Sequence, residues 1–525
     1  MSGEVVNVAR NISDKKENGV VYTPSWIVAL ILNELHYNTK NILYKKIVDP
    51  ACGEGAFLSE IVRRFIAKAK EEKLKKEEII SLLENNIYGF DIDLEATKKC
   101  KNILNEIVLQ YKIDKVNWKI YNFDSLEKSN ILKFKDFFDF VVGNPPYIRI
   151  QNLGGERRNN LQKNWDFCKN GSTDIYIAFF ELGYFLLNKQ GRLGYITPNT
   201  YLKTGSGKTL RQFLKFKGCL ETLIDFGHHQ LFDEATTYSA VTILDKEQCR
   251  QRFRFCRGEN EQVFYVNEID LNDLNIDNWV LTPNKIAKKI KEIETRGVPL
   301  EKISRIHVGI TTLADDFYIF HNPKIVGKVA EIKLKDGKVF EIETAILKPI
   351  IKASILKDPN VDQCRYVIFP YKKINGKHVI IPEEELSKIY PLTYKYFLSI
   401  KDALLARDKG KPNPVAWYAF GRSQGLDTSF GKKILTSPMN IKPNFIVWEK
   451  EEYTFYAGYC VKFDGDLNWL SDQLNSEDMS FYIKNVGRDY QHGYKSYAKS
   501  FIKGFGVCNY QDKIKSCRQQ LNLAV

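Results

Sequence analysis

The feature that most constrains the fold is a strand, loop and helix unit near the amino terminus. Ile47-Val48 runs into Asp49-Pro50-Ala51-Cys52-Gly53-Glu54-Gly55, after which Phe57, Leu58, Ile61, Val62, Phe65 and Ile66 recur at helical spacing. The pattern predicts a helix from about Phe57 to Glu84. Its charged stretch, Lys68 to Glu78, is expected to be a solvated face. The rhythm then repeats, with a strand at Ile87–Phe90, a helix from Leu94, a strand at Trp118–Phe123, and an apolar run, Phe137–Val142, that reads as a buried central strand. A helix at Ile175–Leu187 and strands at Leu193–Ile196, Leu223–Phe226 and Ala240–Leu244 follow. Strands separated by helices of this length predict an α/β fold over residues 1–245, with a doubly wound, mostly parallel sheet. The charged stretch 246–262 is the expected linker, and the short strands and turn clusters of 263–525 predict a separate mixed α+β domain.

Composition narrows what such a chain can do. Its 525 residues, 44% hydrophobic and 27% charged, exclude wholesale disorder and leave room for several domains. No run approaches the ~18 consecutive apolar residues of a membrane span, and the polar stretch Met1–Glu17 has no apolar core like that of a secretory signal. Ten cysteines without a C-x-x-C pair argue against zinc ribbons and for reduced thiols, hence a cytoplasmic protein. Seventy-eight Lys and Arg against 64 Asp and Glu, a net charge of +14, favour a polyanionic partner. With 28 Tyr and 32 Phe, the chain also has aromatic faces on which bases could stack.

In open α/β sheets, ligands bind at the carboxyl ends of the strands, and the chemistry-bearing residues here cluster at those ends. Gly53 and Gly55 open a helix, where the backbone can approach a ligand closely. The third glycine of a dinucleotide fingerprint is missing, and Asp91 lies beyond the ~20-residue spacing typical of that fingerprint, which argues against NAD. A carboxylate at Asp91 can still accept protons from ribose hydroxyls, and Asp124 closes the next strand. Gly205-Ser206-Gly207-Lys208-Thr209 imitates the tail of a P-loop, but the glycine needed five positions before Gly207 is Leu202.

Asn144-Pro145-Pro146-Tyr147 follows the most apolar strand. Alone it could be a rigid turn. Together with the glycine loop and the strand-end acids, it resembles the catalytic motif of S-adenosylmethionine-dependent amino-methyltransferases. The residue types suit that chemistry. The exocyclic amine of adenine is a poor nucleophile because its lone pair is delocalised into the ring. The amide oxygen of Asn144 and the carbonyl of Pro145 can each accept one amine proton, localising the lone pair by preorganised electrostatics without a metal. The prolines fix the backbone, and Tyr147 offers a face to a base that must leave the duplex.

Order along the chain resembles the gamma-class DNA adenine-N6 methyltransferases of type II restriction–modification systems. Gly19-Val20-Val21-Tyr22-Thr23-Pro24 and the apolar segment Trp26–Leu35 look like the segment preceding the glycine loop in that class. The resemblance implies a pocket for S-adenosyl-L-methionine built from Thr23, Asp49, Ala51, Gly53, Gly55, Asp91, Asp124 and Pro146. In it Asp91 takes the ribose and Asp124 the adenine amino group. Thr173-Asp174-Ile175-Tyr176 and Gly191–Asn199 look like the fifth and sixth motifs, and His229–Tyr238 like the segment that carries a second base-stacking aromatic, assigned to Phe232. Further on, Val308-Gly309-Ile310-Thr311-Thr312, Leu347–Lys352, Phe369-Pro370-Tyr371, Gly421-Arg422-Ser423-Gln424, Leu474-Asn475-Ser476 and Gly493-Tyr494 look like segments of a target-recognition domain. The resemblance implies a stand-alone, monomeric methylase acting on double-stranded DNA and paired functionally with a separate restriction endonuclease, with no nuclease extension at its amino terminus. Protein-glutamine and ribosomal-RNA methyltransferases share the amine chemistry, and a non-catalytic DNA-specificity module is the alternative from another class.

Overall fold

The computed structural model describes residues 23–169, 173–227, 231–232, 238–259, 261–360 and 363–508. Of the segments singled out above, 19–22, 229–230 and 233–237 lie outside the described residues. Contacts divide the chain into two compact units, Met1–Asn284 and Lys285–Val525.

The first unit is built on one nine-stranded sheet. Its strands are β1 (Ile47–Asp49), β2 (Ile87–Asp91), β3 (Lys119–Asn122), β4 (Phe138–Gly143), β5 (Leu187–Pro198), β6 (Leu220–Asp225), β7 (Ser239–Asp245), β8 (Arg252–Glu259) and β9 (Gln262–Asp270). They lie in the order β3-β2-β1-β4-β5-β7-β6-β8-β9. The half from β3 to β5 is parallel throughout, while β7 runs antiparallel to both β5 and β6, and β9 antiparallel to β8. Neighbouring residues along a strand enter opposite apolar cores. Val48, Val141, Leu193 and Leu223 pack on one side, and Ile47, Val142, Ile196 and Ile224 in the other cluster. Both faces of the sheet are therefore covered, which is why its strands read as near-continuous apolar runs. The chain leaves β1 toward β2 and β3, then returns to place β4 on the other side of β1. That reversal opens a crevice at the carboxyl ends of β1 and β4.

The structure corrects two expectations. The long helix is two: α1 (Ser25–Glu34) precedes the sheet, and α2 (Ala56–Glu71) and α3 (Lys76–Asn86) replace the single span from Phe57 to Glu84. Lys73 adopts a left-handed φ of 56° between them, and the backbone N–H of Leu74 closes on the carbonyl of Ala69. Glu78 accepts from the Lys75 N–H at 2.8 Å and begins the new helix. The second correction concerns the linker. Residues 246–262 do not separate two domains, because β8 pairs in parallel with β6 and carries β9 antiparallel on its far side. The boundary falls at Asn284/Lys285, not between 245 and 263.

The second unit is a set of small sheets with short helices, as its turn-rich sequence predicts. Arg305–Val308, Tyr459–Lys462, Lys433–Thr436 and Phe445–Trp448 form one antiparallel sheet. Ile319–His321, Arg365–Ile368, Leu347–Lys352 and Thr454–Tyr456 form another, whose last pair is parallel. Tyr318, Phe397, Tyr418 and Phe420 are among the rings at its core. Among the described residues of the chain, no helix is long and apolar enough to cross a membrane.

Candidate active site

At the carboxyl end of β1, Asp49 is only 2% exposed. Its Oδ1 accepts the N–H of Ala51 at 3.0 Å, and among the described residues no cation pairs with it. Burial pushes its carboxyl up to about 8, the Ala51 N–H opposing and the Asp91 carboxylate adding to that rise. The end of β4 lies directly against it: a Cβ on Gly143 would sit 2.8 Å from Asp49 Oδ1. Glycine at 143 is therefore what lets the residue after it, Asn144, stand beside the β1 loop. That loop turns through left-handed glycines, Gly53 at φ +51° and Gly55 at φ +94°. A Cβ on Gly53 would meet nothing within 4 Å, so the loop faces open space there.

Asp91, at the end of β2, organises the loop from the other side. Its Oδ2 accepts the N–H of Gly53 and its Oδ1 that of Asp93, both at 2.8 Å. Each oxygen keeps a second lone pair for a ligand. Burial raises this carboxyl, and the two N–H groups counter it. Asp124, after β3, closes a turn through Oδ1 on the Leu126 N–H at 3.0 Å and pairs through Oδ2 with Arg157 at 2.9 Å. Sequence reasoning missed Arg157, which stands on the helix Gly155–Asn164. Ser125 ties the two loops together by donating to the Pro50 carbonyl at 2.6 Å.

The tetrapeptide after β4 meets these loops from the crevice side. Pro145 is buried, and Asn144, Pro146 and Tyr147 are half-buried. The Asn144 amide is oriented at both ends: Nδ2 donates to Thr23 Oγ1 at 3.0 Å, and Oδ1 accepts from the Tyr147 hydroxyl at 2.6 Å. Thr23 itself is 4% exposed, just ahead of α1. Burial raises the Tyr147 phenol, and a hydrogen bond from Ser239 on β7 opposes it. The segment that continues past Tyr147 is clasped by the Thr173–Ile175 segment, with Ile150 N–H on the Thr173 carbonyl at 2.9 Å and Ile175 N–H on that of Ile148 at 2.8 Å. The helix Ile175–Leu186 then brings Tyr176 to 6.4 Å from the Tyr147 ring, edge to face. Phe232 is 3% exposed and lies 6.3 Å from Tyr147 at an interplanar angle of 68°. The two rings touch edge to face rather than standing parallel around a gap.

The structure thus gathers Thr23, Asp49, Ala51, Gly53, Gly55, Asp91, Asn144, Pro145, Pro146, Tyr147 and Phe232 through contacts around the β1/β4 crevice, and ties Asp124 to the same loops through Ser125. Ser239 carried no sequence signal, because only the antiparallel insertion of β7 next to β5 places it there. The imitation P-loop is packing chemistry. A Cβ on Gly207 would sit 2.1 Å from the Tyr201 carbonyl, and Lys208 pairs with Asp277 at 2.7 Å.

A doubly wound sheet with one antiparallel strand inserted beside β5, and with loops of this kind after β1, β2, β3 and β4, makes a mixed α/β fold that resembles the S-adenosylmethionine-dependent methyltransferase fold. Residues 68–232 match the family described as Eco57I restriction-modification methylase. The chain is 28% identical over 481 residues to the type II restriction enzyme and methyltransferase RM.Eco57I of Escherichia coli, covering 78% of this chain and 48% of that protein. It is 24% identical over 507 residues to the type II methyltransferase M.BstVI of Geobacillus stearothermophilus, covering 89% of this chain and 85% of that one. Among solved structures, the type IIL restriction-modification enzyme MmeI in complex with DNA superposes with a TM-score of 0.62 at 13% identity, over 93% of this chain and 68% of that one. Over residues 68–232 the chain is thus similar to the Eco57I restriction-modification methylases, and it spans about half the length of RM.Eco57I.

Proposed function

We propose that the chain transfers a methyl group from S-adenosyl-L-methionine to N6 of an adenine extruded from double-stranded DNA, at a defined sequence, so that the DNA resists a cognate restriction endonuclease. The observation that carries this reading is the orientation of the Asn144 amide between Thr23 and Tyr147. Nδ2 donating to Thr23 and Oδ1 accepting from the Tyr147 hydroxyl hold the amide plane, and in this reading Oδ1 also accepts an amine proton. With the Pro145 carbonyl as the other acceptor, the amine is drawn toward tetrahedral geometry and its lone pair is localised. An oriented amide costs no reorganisation at the moment of reaction.

The cofactor supplies an electrophilic methyl group, and the chain's residues fit such a ligand. Asp49 is a buried carboxyl with no cation beside it among the described residues, suited to the positively charged methionine end. The second lone pairs of Asp91 suit ribose hydroxyls, and the open side of Gly53 lets the ligand approach the backbone. Thr23, Ala51, Gly55, Asp124 and Pro146 complete the proposed pocket. Tyr147 and Phe232 are proposed to stack on the extruded base, which requires Phe232 to swing from its edge-on contact. The relatives' names and the DNA-bound MmeI likeness support the restriction–modification setting. The second unit, from Lys285 on, is proposed to carry sequence recognition.

Asn144→Ala tests the mechanism. Removing one preorganised acceptor should lower the single-turnover methylation rate by about 10²–10³-fold, while cofactor and DNA affinity change little. A rate within threefold of wild type would show the amide to be incidental.

A further inference from the structure

Two of the second unit's sequence segments, Val308–Thr312 and Gly421–Gln424, lie more than a hundred residues apart, yet they form one device. The backbone N–H of Gly421 donates to the Thr312 carbonyl at 2.9 Å, and that of Arg422 to the Thr311 carbonyl at 3.1 Å. The approach is close enough to demand glycine at both ends of the 421–425 segment. A Cβ on Gly425, which has a φ of +80°, would stand 2.7 Å from the Gly309 carbonyl carbon, and one on Gly421 would stand 2.5 Å from the Leu313 side chain. Arg407 clamps the same junction. Its guanidinium donates to the carbonyls of Thr312 at 3.1 Å, Ala419 at 3.0 Å and Trp417 at 2.8 Å. From this rigid base Arg422, Ser423 and Gln424 project as three consecutive exposed residues. They stand beside a concavity lined by Leu313, Arg407, Lys411, Asn413, Trp417 and Arg422.

What matters is which atoms the base leaves free. Arg422 spends only Nη1, on Asp408 at 3.1 Å and on the Gly421 carbonyl at 2.9 Å. Its Nε and Nη2 edge makes no hydrogen bond among the described residues, and Asp408 holds the guanidinium plane in place. Gln424 donates one Nε2 hydrogen to Thr311 Oγ1 at 2.9 Å. That bond holds the amide in place and leaves its second N–H and the Oε1 acceptor without a partner among the described residues. Two parallel donors match the O6/N7 edge of guanine, and a donor beside an acceptor matches the N7/N6 edge of adenine. Free solvent-facing side chains would pay entropy to adopt those poses, whereas here they are set beforehand.

We propose that Arg422 and Gln424 are specificity-determining residues that read base edges in the major groove, Arg422 a guanine and Gln424 an adenine, from this preset hook. The inference rests on the DNA-methyltransferase reading above. It requires the recognised sequence to contain both bases, and it assigns Arg407 and Thr311 the positioning of the two readers.

The test uses the full chain and the variants Arg422→Ala, Arg422→Lys and Gln424→Ala. Methylated adenines are mapped by long-read sequencing of genomic DNA from cells expressing each protein, and binding to a duplex bearing the wild-type site is measured against salt. Arg422→Ala and Gln424→Ala should each lower methylation at the wild-type site by about 10–100-fold and relax one position, a guanine for the first and an adenine for the second. Arg422→Lys keeps the charge but loses the paired donors, so it should relax the same guanine. The salt slope should be unchanged. Variants that keep the wild-type site and rate overturn the proposal. So does a uniform loss over all sequences with a slope shallower by about 0.9, which marks a phosphate contact. Wild-type protein that modifies no DNA overturns the methyltransferase reading and this inference with it, whereas an active wild type with indifferent variants overturns only the hook.

Discussion

Asp49 should make the first unit less stable as pH rises, and removing its charge should reverse that. Its carboxyl sits at 2% exposure with a single N–H partner, and burial lifts it from 3.8 to about 8. Between those two values the folded chain holds a proton that the unfolded chain has released, so stability falls as pH climbs through the window and levels off above the folded value. Each pH unit is worth about 1.4 kcal/mol, so this one group should remove about 4 kcal/mol between pH 5 and pH 8. Asp49→Asn keeps the shape and an acceptor for the Ala51 N–H but cannot ionise. The difference in melting temperature between variant and wild type should therefore widen with pH, by roughly 10 °C over that range for a unit of this size. The assay is differential scanning calorimetry of both proteins in matched buffers at half-unit steps. A gap that stays constant from pH 5 to pH 8, or a variant that melts lower than wild type at pH 8, would refute the argument that Asp49 is a buried carboxyl without a counter-charge. Added S-adenosylmethionine should flatten the wild-type slope, because a cation beside Asp49 restores its ionised form.

Three other outcomes are expected. Asp91→Ala should weaken S-adenosylmethionine binding in calorimetric titration, since two charge-assisted hydrogen bonds are worth roughly 1.5–3 kcal/mol each; part of the effect will come from Gly53 and Asp93 losing their acceptor, and unchanged affinity removes Asp91 from the site. Lys433 is fully buried, its ammonium donates to the carbonyls of Gly431 and Tyr453 at 2.7 Å, and burial lowers it to about 7 with Lys462 adding to the effect. The unfolded chain binds the extra proton between about 7 and 10.5, so the second unit should gain stability as pH rises through that window, and Lys433→Met should abolish the gain in urea titrations at pH 7, 8 and 9. With 2-aminopurine at the target adenine, Tyr147→Ala and Phe232→Ala should each alter the bound-state fluorescence and slow methylation, each ring being worth roughly 1–3 kcal/mol of stacking. Phe232→Ala that leaves both untouched while lowering the melting temperature assigns that ring to the core.

Much of this was legible in the sequence because the relevant physics is local. Ile47-Val48 and Phe138–Val142 announce strands buried on both faces, and the reversal between β1 and β4 puts their following loops in one crevice. Asn144 and Tyr147 are three residues apart, so their hydrogen bond is short-range geometry. The failures are of a different kind. Counting charges over 246–262 hid a strand whose apolar residues, Phe253 and Phe255, alternate with exposed Arg252 and Arg254. Alternation was the better signal, because a half-buried strand needs only every second residue apolar. Ser239 and Arg157 were invisible for another reason. Their roles depend on which strand inserts beside β5 and on where the helix between Ile150 and Thr173 lands, and neither is written in local pattern.

The position of the tetrapeptide explains why one backbone can serve both ligands of the proposed reaction. Gly143 is the last residue of β4, and the space its missing side chain leaves is filled by the Asp49 carboxylate from β1. The next residue is Asn144, whose amide is held by Thr23 at the start of the chain's first described helix and by Tyr147 three residues on. Two consecutive residues therefore face the two sides of the switch point, one pressed on the group proposed to hold the cofactor and one aimed at the base. Prolines at 145 and 146 remove two backbone N–H groups that would otherwise need partners, and they stiffen the step between. Rigidity here is useful because an acceptor pair gains its effect from being in place before the amine arrives. The same economy governs the second unit, where Arg407 and two close-packed glycines hold Arg422 and Gln424. In both places the groups proposed to touch DNA do not choose their own geometry, and neighbouring backbone sets it for them.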